Sequence, residues 1–316
     1  MKQHHSSTKT AGIDVGKHWL DAAVDGGETT RVNNDAAGIE ALIDWLTGHG
    51  VERVGLEASG GYEREARSEL AAAGFATVLH QPLEVRLFAR LNRQRAKNDR
   101  LDAKLIAAAT AALDTVRPAP SPHLLDLAEH LSVYEQVSAK AAELKTFLAT
   151  VRQQHLRDTL RLQIGGLVAL KQTLICQLLA AIKADAELAA RFRLLSSLPG
   201  IGPINAASLV IRMPELGQLE HGQAASLIGV APFDHDSGAH KGMRFITGGR
   251  SRPRRMLYLA ALAAKRCDPD LKGFAQRLID RGKPAKVAIV AVMRKLIEAA
   301  NLVLKRGTPW IASSQP

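Results

Sequence analysis

The spacing of the apolar residues changes once along the chain, and this change constrains the fold more than any other feature. Before residue 117, short apolar runs of strand length alternate with glycine turns and short helical stretches. Residues 117–122 contain three prolines, which break helices and mark a boundary. Beyond them, apolar residues recur every three or four positions. We therefore predict an α/β domain at residues 1–117, a helical segment at 118–190 and a mostly α-helical domain at 191–316.

The N-terminal part is predicted to contain a mixed sheet, because strands come first and then alternate with helices. Residues 11–25 are typical of two strands joined by a glycine turn. The further predicted elements are, in order, a strand at 29–33, a helix at 38–48, a strand at 51–56, a helix at 62–73, a strand at 75–79 and a helix with a basic middle at 84–113.

The helical segment has a heptad-like apolar stripe from residue 124 to residue 151. The sequence Ile164-Gly-Gly166 is expected to interrupt it, and a second long helix is predicted at 167–190. Such a stripe indicates an antiparallel helical pair or an intermolecular coiled coil. One face of a helical bundle packed on its own domain explains it equally well.

The charge of the chain favours a polyanionic partner. The formal net charge is +11, and from residue 191 onward 20 Lys and Arg accompany only 8 Asp and Glu. A basic surplus concentrated in one region is typical of proteins that bind nucleic acid. A basic protein without such a partner is the alternative interpretation.

Other bulk features predict a cytoplasmic protein that does not bind a membrane. No run reaches the roughly 18 apolar residues of a membrane span, and residues 1–10 lack the apolar core of a signal peptide. Cys176 and Cys267 are too few and too isolated for a disulfide framework or a zinc site.

Four carboxylates are candidate metal ligands. Asp14 lies in a short apolar strand and Glu57 ends another, where an unpaired carboxylate costs several kcal/mol. Asp99 and Asp102 are three residues apart, so a helix places both on one face, and their repulsion favours a bound cation. Oxygen ligands suit Mg²⁺, or alternatively Mn²⁺. Taken singly, each acid also has an ordinary interpretation: a turn cap, a helix-entry cap or a solvated helix face.

Ser237 lies in a glycine-rich stretch followed by a basic run without acids. Taken alone it is most simply a turn serine. Its close neighbours Asp234, His235, Asp236 and His240 do not suit a Ser-His-Asp triad, because residues this near in sequence do not readily reach that geometry. We predict nucleic-acid contacts for ten basic residues: Arg95, Lys97, Lys241, Arg244, Arg250, Arg252, Arg254, Arg255, Lys283 and Lys286.

Seven motifs in order make the chain resemble the DEDD transposases of the insertion-sequence-110 type, which are related to site-specific pilin-gene invertases. Three are N-terminal: Gly12-Ile-Asp-Val-Gly-Lys, Leu56-Glu-Ala-Ser-Gly-Gly-Tyr-Glu63 and Lys97-Asn-Asp-Arg-Leu-Asp-Ala103. Four are C-terminal: Leu198-Pro-Gly-Ile-Gly-Pro203, Ala231-Pro-Phe-Asp-His-Asp-Ser-Gly238, Gly248-Gly-Arg-Ser-Arg-Pro-Arg-Arg-Met-Leu-Tyr258 and Gly282-Lys-Pro-Ala-Lys-Val-Ala288. The first C-terminal motif also resembles a helix-hairpin-helix turn. A purely structural hairpin would look the same.

The resemblance implies a RuvC-like N-terminal domain of RNase H-like fold and a DNA recombinase. It assigns the metal ligands to Asp14, Glu57, Asp99 and Asp102 and a nucleophile to Ser237, which would form a covalent phosphoserine. Glu63 is a nearby acid, but Glu57 directly ends the apolar strand. The implied partners are donor and target double-stranded DNA, a structured non-coding guide RNA and further copies of the chain in a homodimer or homotetramer.

Two other functions stay open at this stage. A RuvC-type nuclease would cut structured DNA by hydrolysis at the carboxylates alone. A non-catalytic nucleic-acid-binding protein would use the acids only as partners of Arg and Lys.

Overall fold

The computed structural model divides the chain into two compact units, Met1–Pro122 and His123–Pro316. It describes residues 8–92, 99–114, 121–233 and 244–311, without the side chains of residues 99–101. The predictions for Arg95, Lys97, Ser237 and Lys241, and for the side chain of Asp99, therefore lie outside the described residues. The three-part domain division stays a prediction.

The first unit contains a five-stranded mixed sheet in the order β3-β2-β1-β4-β5. Its strands are β1 (Thr10–Val15), β2 (Trp19–Val24), β3 (Thr29–Asn33), β4 (Arg53–Glu57) and β5 (Ala76–His80). The first three strands pair antiparallel, whereas β4 pairs parallel to both β1 and β5. All five predicted strands are confirmed, and the mixed sheet with them.

Period-two alternation separates the two faces of this sheet. On one face, α1 (Ala36–Gly48) and α2 (Arg64–Ala72) cover an apolar layer that includes Ile13, Leu20 and Leu56. Asp35 caps α1 by accepting a hydrogen bond from the amide of Gly38 at 2.9 Å. The apolar positions of strands and helices thus explain this half of the unit.

The opposite face is covered by α4 (Asp99–Ala111), which follows α3 (Pro82–Leu91). The single helix predicted at 84–113 is therefore two helices, and residues 93–98 between them lie outside the described ranges. Gly12 and Gly55 are register partners on β1 and β4 and lie directly beneath α4. A Cβ atom at Gly12 would come within 2.7 Å of the carbonyl carbon of Ile106. Glycine at these positions lets the helix backbone approach the sheet.

The second unit is almost entirely helical. Its elements are α5 (Pro122–Leu148), α6 (Gln154–Ala184), α7 (Ala186–Ser196), α8 (Pro203–Arg212), α9 (Gln223–Ile228), β6 (Pro232–Phe233), β7 (Phe245–Ile246), α10 (Ser251–Cys267), α11 (Pro269–Asp280) and α12 (Ala285–Arg306). The core of the unit is formed mainly by α8, α10 and α12, and residues Leu127, Leu131 and Leu178 of the two long helices contribute to it.

The predicted interruption at Gly165-Gly166 is wrong, because α6 runs through both glycines without a break. The break lies instead at residues 149–153. Glycine costs a helix only about 1 kcal/mol relative to alanine, which a helix of 31 residues tolerates. Nothing lies within 4 Å of a Cβ atom built at either glycine, so packing does not require them.

The two long helices meet in antiparallel orientation near the core. His130 Nε2 of α5 lies 2.8 Å from the carbonyl oxygen of Leu174, and Lys171 Nζ lies 5.5 Å from the ring centroid of Tyr134. Further along, Phe147, Leu156 and Leu162 are exposed. The antiparallel pair is present, whereas the coiled coil stays a prediction.

Among the described helices, α6 is the one that is long and apolar enough to cross a membrane. Only 11% of its most apolar window is buried. Length and composition alone are weak evidence for a membrane span, because an exposed apolar helix that pairs with another helix has the same composition. The predictions that the chain avoids membranes and is cytoplasmic are unchanged.

Candidate functional site

A row of polar residues crosses the face of the sheet that α4 covers. Register places Arg31 opposite Asp21 and Asp21 opposite Asp14. Asp14 and Glu57 directly follow the paired residues Ile13 and Leu56, and Glu57 is opposite His80. The row is therefore Arg31, Asp21, Asp14, Glu57 and His80, one residue from each strand. Two of the four predicted ligands, Asp14 and Glu57, stand side by side in it.

Asp21 and Arg31 form an ion pair at one end of the row. The Nε and Nη2 atoms of Arg31 donate to the two carboxylate oxygens of Asp21 at 2.9 and 2.8 Å. Asp21 is buried, whereas the Arg31 side chain is 44% exposed. The bidentate pair neutralises the carboxylate that lies beside Asp14. We did not predict a role for Asp21 or Arg31 from the sequence. The pairing of β2 with β1 places Asp21 on the same face of the sheet as Asp14.

Helix α4 brings its acidic first turn toward the same row. Thr10 of β1 contacts Ala107, and Gly12 contacts both Ala107 and Ala103. On the parallel strand β4, Arg53 contacts Leu113 and Gly55 contacts Thr110 and Ile106, so the helix runs antiparallel to both strands. From Gly12 to Asp14 the strand advances two residues, or about 6.6 Å, and from Ala103 back to Asp99 the helix advances four residues, or about 6 Å. Asp14 is therefore level with the turn that contains Asp99 and Asp102. Acids in a first turn are also favoured by the helix dipole.

Two contacts fix the position of α4 at its other end. Arg53 of β4 donates from Nη1 to the carbonyl oxygen of Leu113 at 2.8 Å and so caps the helix end. His80 Nε2 lies 2.8 Å from Thr110 Oγ1, which donates to the carbonyl oxygen of Ile106 at 2.7 Å. Burial lowers the pKa of His80, although the nearby Glu84 opposes this shift. Because the Thr110 hydroxyl donates to Ile106, His80 Nε2 donates to Thr110, and this contact holds the helix on the sheet.

Glu63 has a structural role in the loop after β4. Its Oε2 atom accepts hydrogen bonds from the Ser59 amide at 3.0 Å, the Ser59 hydroxyl at 2.8 Å and the Gly61 amide at 2.9 Å. Burial alone would raise the pKa of Glu63, but these hydrogen bonds lower it below its usual value. The loop that follows Glu57 is therefore ordered by Glu63, and the choice of Glu57 rather than Glu63 as the ligand stays a prediction.

The carboxylates suit a hard divalent cation by their chemistry, since all the donors are oxygens. Among the side chains that the structure describes, however, no three His, Cys, Asp or Glu lie close enough together to hold a metal ion. The side chain of Asp99 is not among them. The structure thus brings Asp14, Glu57 and the first turn of α4 to one edge of the sheet, and the complete ligand set stays a prediction.

The segment that contains Ser237 begins and ends at a fixed two-stranded ribbon. Strands β6 and β7 pair antiparallel, Phe233 opposite Phe245. At its base, Gly229 and Gly249 both adopt positive φ and approach so closely that a Cβ at either would clash with backbone. Arg254 Nη1 donates to the carbonyl oxygens of Gly229 at 3.1 Å and Gly248 at 2.6 Å. The two strands that flank residues 234–243 are therefore held together by backbone pairing and by the Arg254 side chain.

The basic residues predicted to bind nucleic acid divide into two groups. Arg250 forms a bidentate ion pair with Glu215, with N–O distances of 2.5 and 2.8 Å, and also donates to the carbonyl oxygen of Arg212 at 2.6 Å. Arg252 donates to Ser132 on α5. With Arg254, these arginines hold the second unit together. The remaining described residues of the set are exposed: Arg244, Arg255, Lys283 and Lys286.

The turn between α7 and α8 uses its two glycines differently. Gly200 adopts positive φ and packs against the backbone of α10 at Ala260 and Ala264. Gly202 has open space around it at the N-terminus of α8. The first glycine therefore serves packing, and the second leaves room for a ligand to approach the helix N-terminus.

Comparisons with known proteins agree with this arrangement. A transposase family model of the DEDD IS110 type matches residues 11–156, and the model of the IS116/IS110/IS902 transposase family matches residues 192–276. Pilin gene-inverting proteins of Moraxella bovis and Moraxella lacunata are each 25% identical to the chain, over 95% of its length and 96% of theirs.

The two family models cover both units in the expected order, and the first spans every candidate carboxylate. The similarity to the gene-inverting proteins extends over nearly the whole chain. Together with the row of acids beneath α4, these matches identify an enzyme that acts on DNA, and the chain belongs to the IS110 family of transposases.

Proposed function

We propose that this transposase cuts and rejoins DNA through a covalent phosphoserine at Ser237, assisted by a divalent cation at Asp14, Glu57, Asp99 and Asp102. The observation that supports the proposal most is the placement of Asp14 and Glu57 side by side at the level of the acidic first turn of α4. Three elements distant in sequence thus carry their acidic residues to one edge of the sheet.

The N-terminal unit is proposed to have a RuvC-like, RNase H-like fold. Its support is the strand order β3-β2-β1-β4-β5, with three antiparallel strands followed by two parallel ones and a helix across the acidic face. Metal-dependent cutting of phosphodiesters requires carboxylates fixed on rigid elements. β1, β4 and α4 meet this requirement because buried contacts fix all three.

The serine chemistry conserves the energy of the phosphodiester. The Ser237 oxygen attacks phosphorus and loses its proton to a base, while the bond from phosphorus to the leaving sugar oxygen breaks and that oxygen takes up a proton. A sugar hydroxyl of another strand then attacks the phosphoserine, releases Ser237 and reseals the backbone without ATP. A cation held by the carboxylates would stabilise the charge on the phosphate and the leaving oxygen.

The proposed partners follow from the family and from the charge. Donor and target duplexes, together with a structured non-coding guide RNA, suit a chain with net charge +11. Recombination joins two duplexes, so a homodimer or homotetramer is proposed, supported by the exposed apolar residues of α5 and α6. Mg²⁺ is the proposed cation and Mn²⁺ the alternative, because both accept oxygen ligands.

Ser237→Ala tests the nucleophile. Donor and target DNA are incubated with the protein, the cognate RNA and Mg²⁺, and products are separated on denaturing gels. Wild-type protein is expected to form an adduct with DNA, which Ser237→Ala abolishes. Ser251→Ala is the matched control, because Ser251 is an exposed serine in the same basic region. Full recombination by Ser237→Ala would exclude the serine mechanism.

The same gels separate the proposal from its two alternatives. A hydrolytic nuclease of the RuvC type would cut DNA without any adduct and would tolerate Ser237→Ala. A non-catalytic nucleic-acid-binding protein would neither cut DNA nor respond to Asp102→Asn.

A further inference from the structure

The ribbon formed by β6 and β7 exposes two aromatic rings that the proposed chemistry does not use. Phe233 and Phe245 are 41% and 53% exposed, and register places them directly opposite each other on one face of the ribbon. Neither belongs to the apolar core of the unit nor to the side chains packed against that core. Two neighbouring exposed phenylalanines are costly in water and indicate a contact surface.

The position of these rings is fixed by the base of the ribbon. Gly229 and Gly249 are in backbone contact, and the amide of Arg250 donates to the carbonyl oxygen of Leu227 at 3.0 Å. Arg254 bridges both sides of the base. A fixed aromatic pair loses little conformational entropy when it binds a partner.

The charge around the ribbon identifies the class of partner. Seven basic residues and no acidic ones occur between residues 244 and 267, of which Arg250, Arg252 and Arg254 have internal partners, while Asp234 and Asp236 follow Phe233. Arg244 adjoins Phe245, and Arg255 is exposed on the second turn of the following helix, whereas Arg252 donates to Ser132. An aromatic pair within a basic surface matches a nucleic-acid strand, in which bases stack on the rings and phosphates face the cations.

We propose that Phe233 and Phe245 form a stacking platform for unpaired DNA bases next to the serine segment. The inference rests on the proposed function, because Ser237 lies in the segment that joins these two strands. The platform would hold nucleotides that have left the duplex stack and so keep the phosphate between them extended and accessible. Stacking of this kind is tolerant of base identity, since every base has an aromatic face.

The test measures DNA binding in a Ser237→Ala background, so that binding does not depend on cleavage. The probe is a short fluorescein-labelled duplex with a bulge of two nucleotides, one of them 2-aminopurine. Changing both phenylalanines to leucine keeps the surface apolar but removes the rings. This double variant is expected to weaken binding about fivefold or more, while the slope of log affinity against log salt stays unchanged. Changing both to tyrosine should restore the affinity.

Controls separate stacking on the rings from a general apolar contact with DNA. Leu302→Ala removes an exposed apolar side chain from α12, outside the proposed platform, and is expected to bind normally. Acrylamide quenching of 2-aminopurine should fall when the Ser237→Ala protein with both phenylalanines binds, because a stacked base is shielded from acrylamide. It should not fall when the leucine variant binds. The quenching measurement with both phenylalanines in place requires no substitution in the ribbon, so it remains informative even if the variants with a changed ribbon fold poorly.

Three results would overturn the platform. They are wild-type affinity with leucine at both positions, unchanged quenching on binding, or a leucine variant that changes only its oligomeric state. The last result would assign the rings to contact with a second protein. Adduct formation with otherwise wild-type protein reports on the proposed function separately, so a failed platform and a failed serine mechanism give different results.

Discussion

The charged residues of the two units are organised in different ways. In the first unit, the candidate acids lie on strands and a helix whose positions are fixed by buried contacts, so their order across the sheet follows from register. In the second unit, arginines that look alike in sequence separate into internal partners of carboxylates and carbonyls, such as Arg250, and exposed side chains, such as Arg255. The direction of a charged side chain is therefore predictable on a regular strand or helix, whereas in a loop or at a helix end it is not.

The reason is that strands and helices determine side-chain direction, while an arginine has long reach and several donors. Asp14 can face only one side of β1. Arg250 can turn toward Glu215 or toward solvent, and only the packing of the second unit decides which. The following changes test this contrast, beginning with the largest expected effect.

Asp102→Asn removes the charge of one candidate ligand and nearly preserves its shape. We expect recombination to fall roughly a hundredfold or more, because a metal contributes several kcal/mol to the transition state. Asp44→Asn, an exposed acid on α1, is the control and should keep full activity. Thermal unfolding verifies that both variants fold. Normal recombination by Asp102→Asn would mean that Asp102 is not a metal ligand.

Gly12→Ala tests whether close packing of α4 positions the acids. The added methyl would lie within 3 Å of backbone atoms of the helix, so we expect a loss of about 1–3 kcal/mol in the free energy of unfolding, with reduced activity. Gly48→Ala, near the end of α1, has nothing within 4 Å of the new Cβ. Urea unfolding should find it equal to wild type or slightly more stable. Equal stability of the two variants would contradict the packing argument.

Glu63→Gln tests the ordering of the loop after Glu57 and gives a pH signature. The folded protein lowers the pKa of Glu63, so its contribution to stability is complete above the ordinary carboxyl pKa of about 4.3 and is lost as pH falls through the lower folded value. We expect a destabilisation of about 1–3 kcal/mol at neutral pH.

Unfolding curves at several pH values measure this difference. Wild type and Glu63→Gln should converge in acid, whereas Glu69→Gln, which changes an exposed acid on α2, should match wild type throughout. A gap that does not change with pH would show that the charge of Glu63 is unimportant.

Arg250→Ala and Arg255→Ala compare the two groups of arginines directly. Loss of Arg250 leaves Glu215 without its bidentate partner, and we expect a cost of about 1–2 kcal/mol in stability, since both side chains are about one-third exposed. Arg255→Ala should leave the melting temperature unchanged and weaken DNA binding, lowering the slope of log affinity against log salt by about one. Opposite results would reverse the assignment of the two groups.

Much of the first unit was predictable from local pattern. All five strands appear where alternation and glycine turns predicted them, and Thr29–Asn33 matches its prediction residue for residue. The second unit was harder to predict, because the break between its long helices is at residues 149–153 rather than at Gly165-Gly166. A pair of glycines weakens a helix by only a small amount, and the surrounding helix outweighs it.

The sequence by itself determined the five strands, the two regions of distinct composition and, through a resemblance to a known family, the choice of Asp14, Glu57, Asp99 and Asp102 as the acids to examine. The strands and the two regions follow from period and turn residues, and the interest of Asp14 and Glu57 follows from the cost of charge in an apolar strand, all of which act locally. Only the tertiary structure decided that Asp21 and Arg31 complete the row, that Glu63 orders a loop and that Arg250 is an internal partner. Those roles depend on residues far apart in the chain, whose contacts arise only when the chain packs.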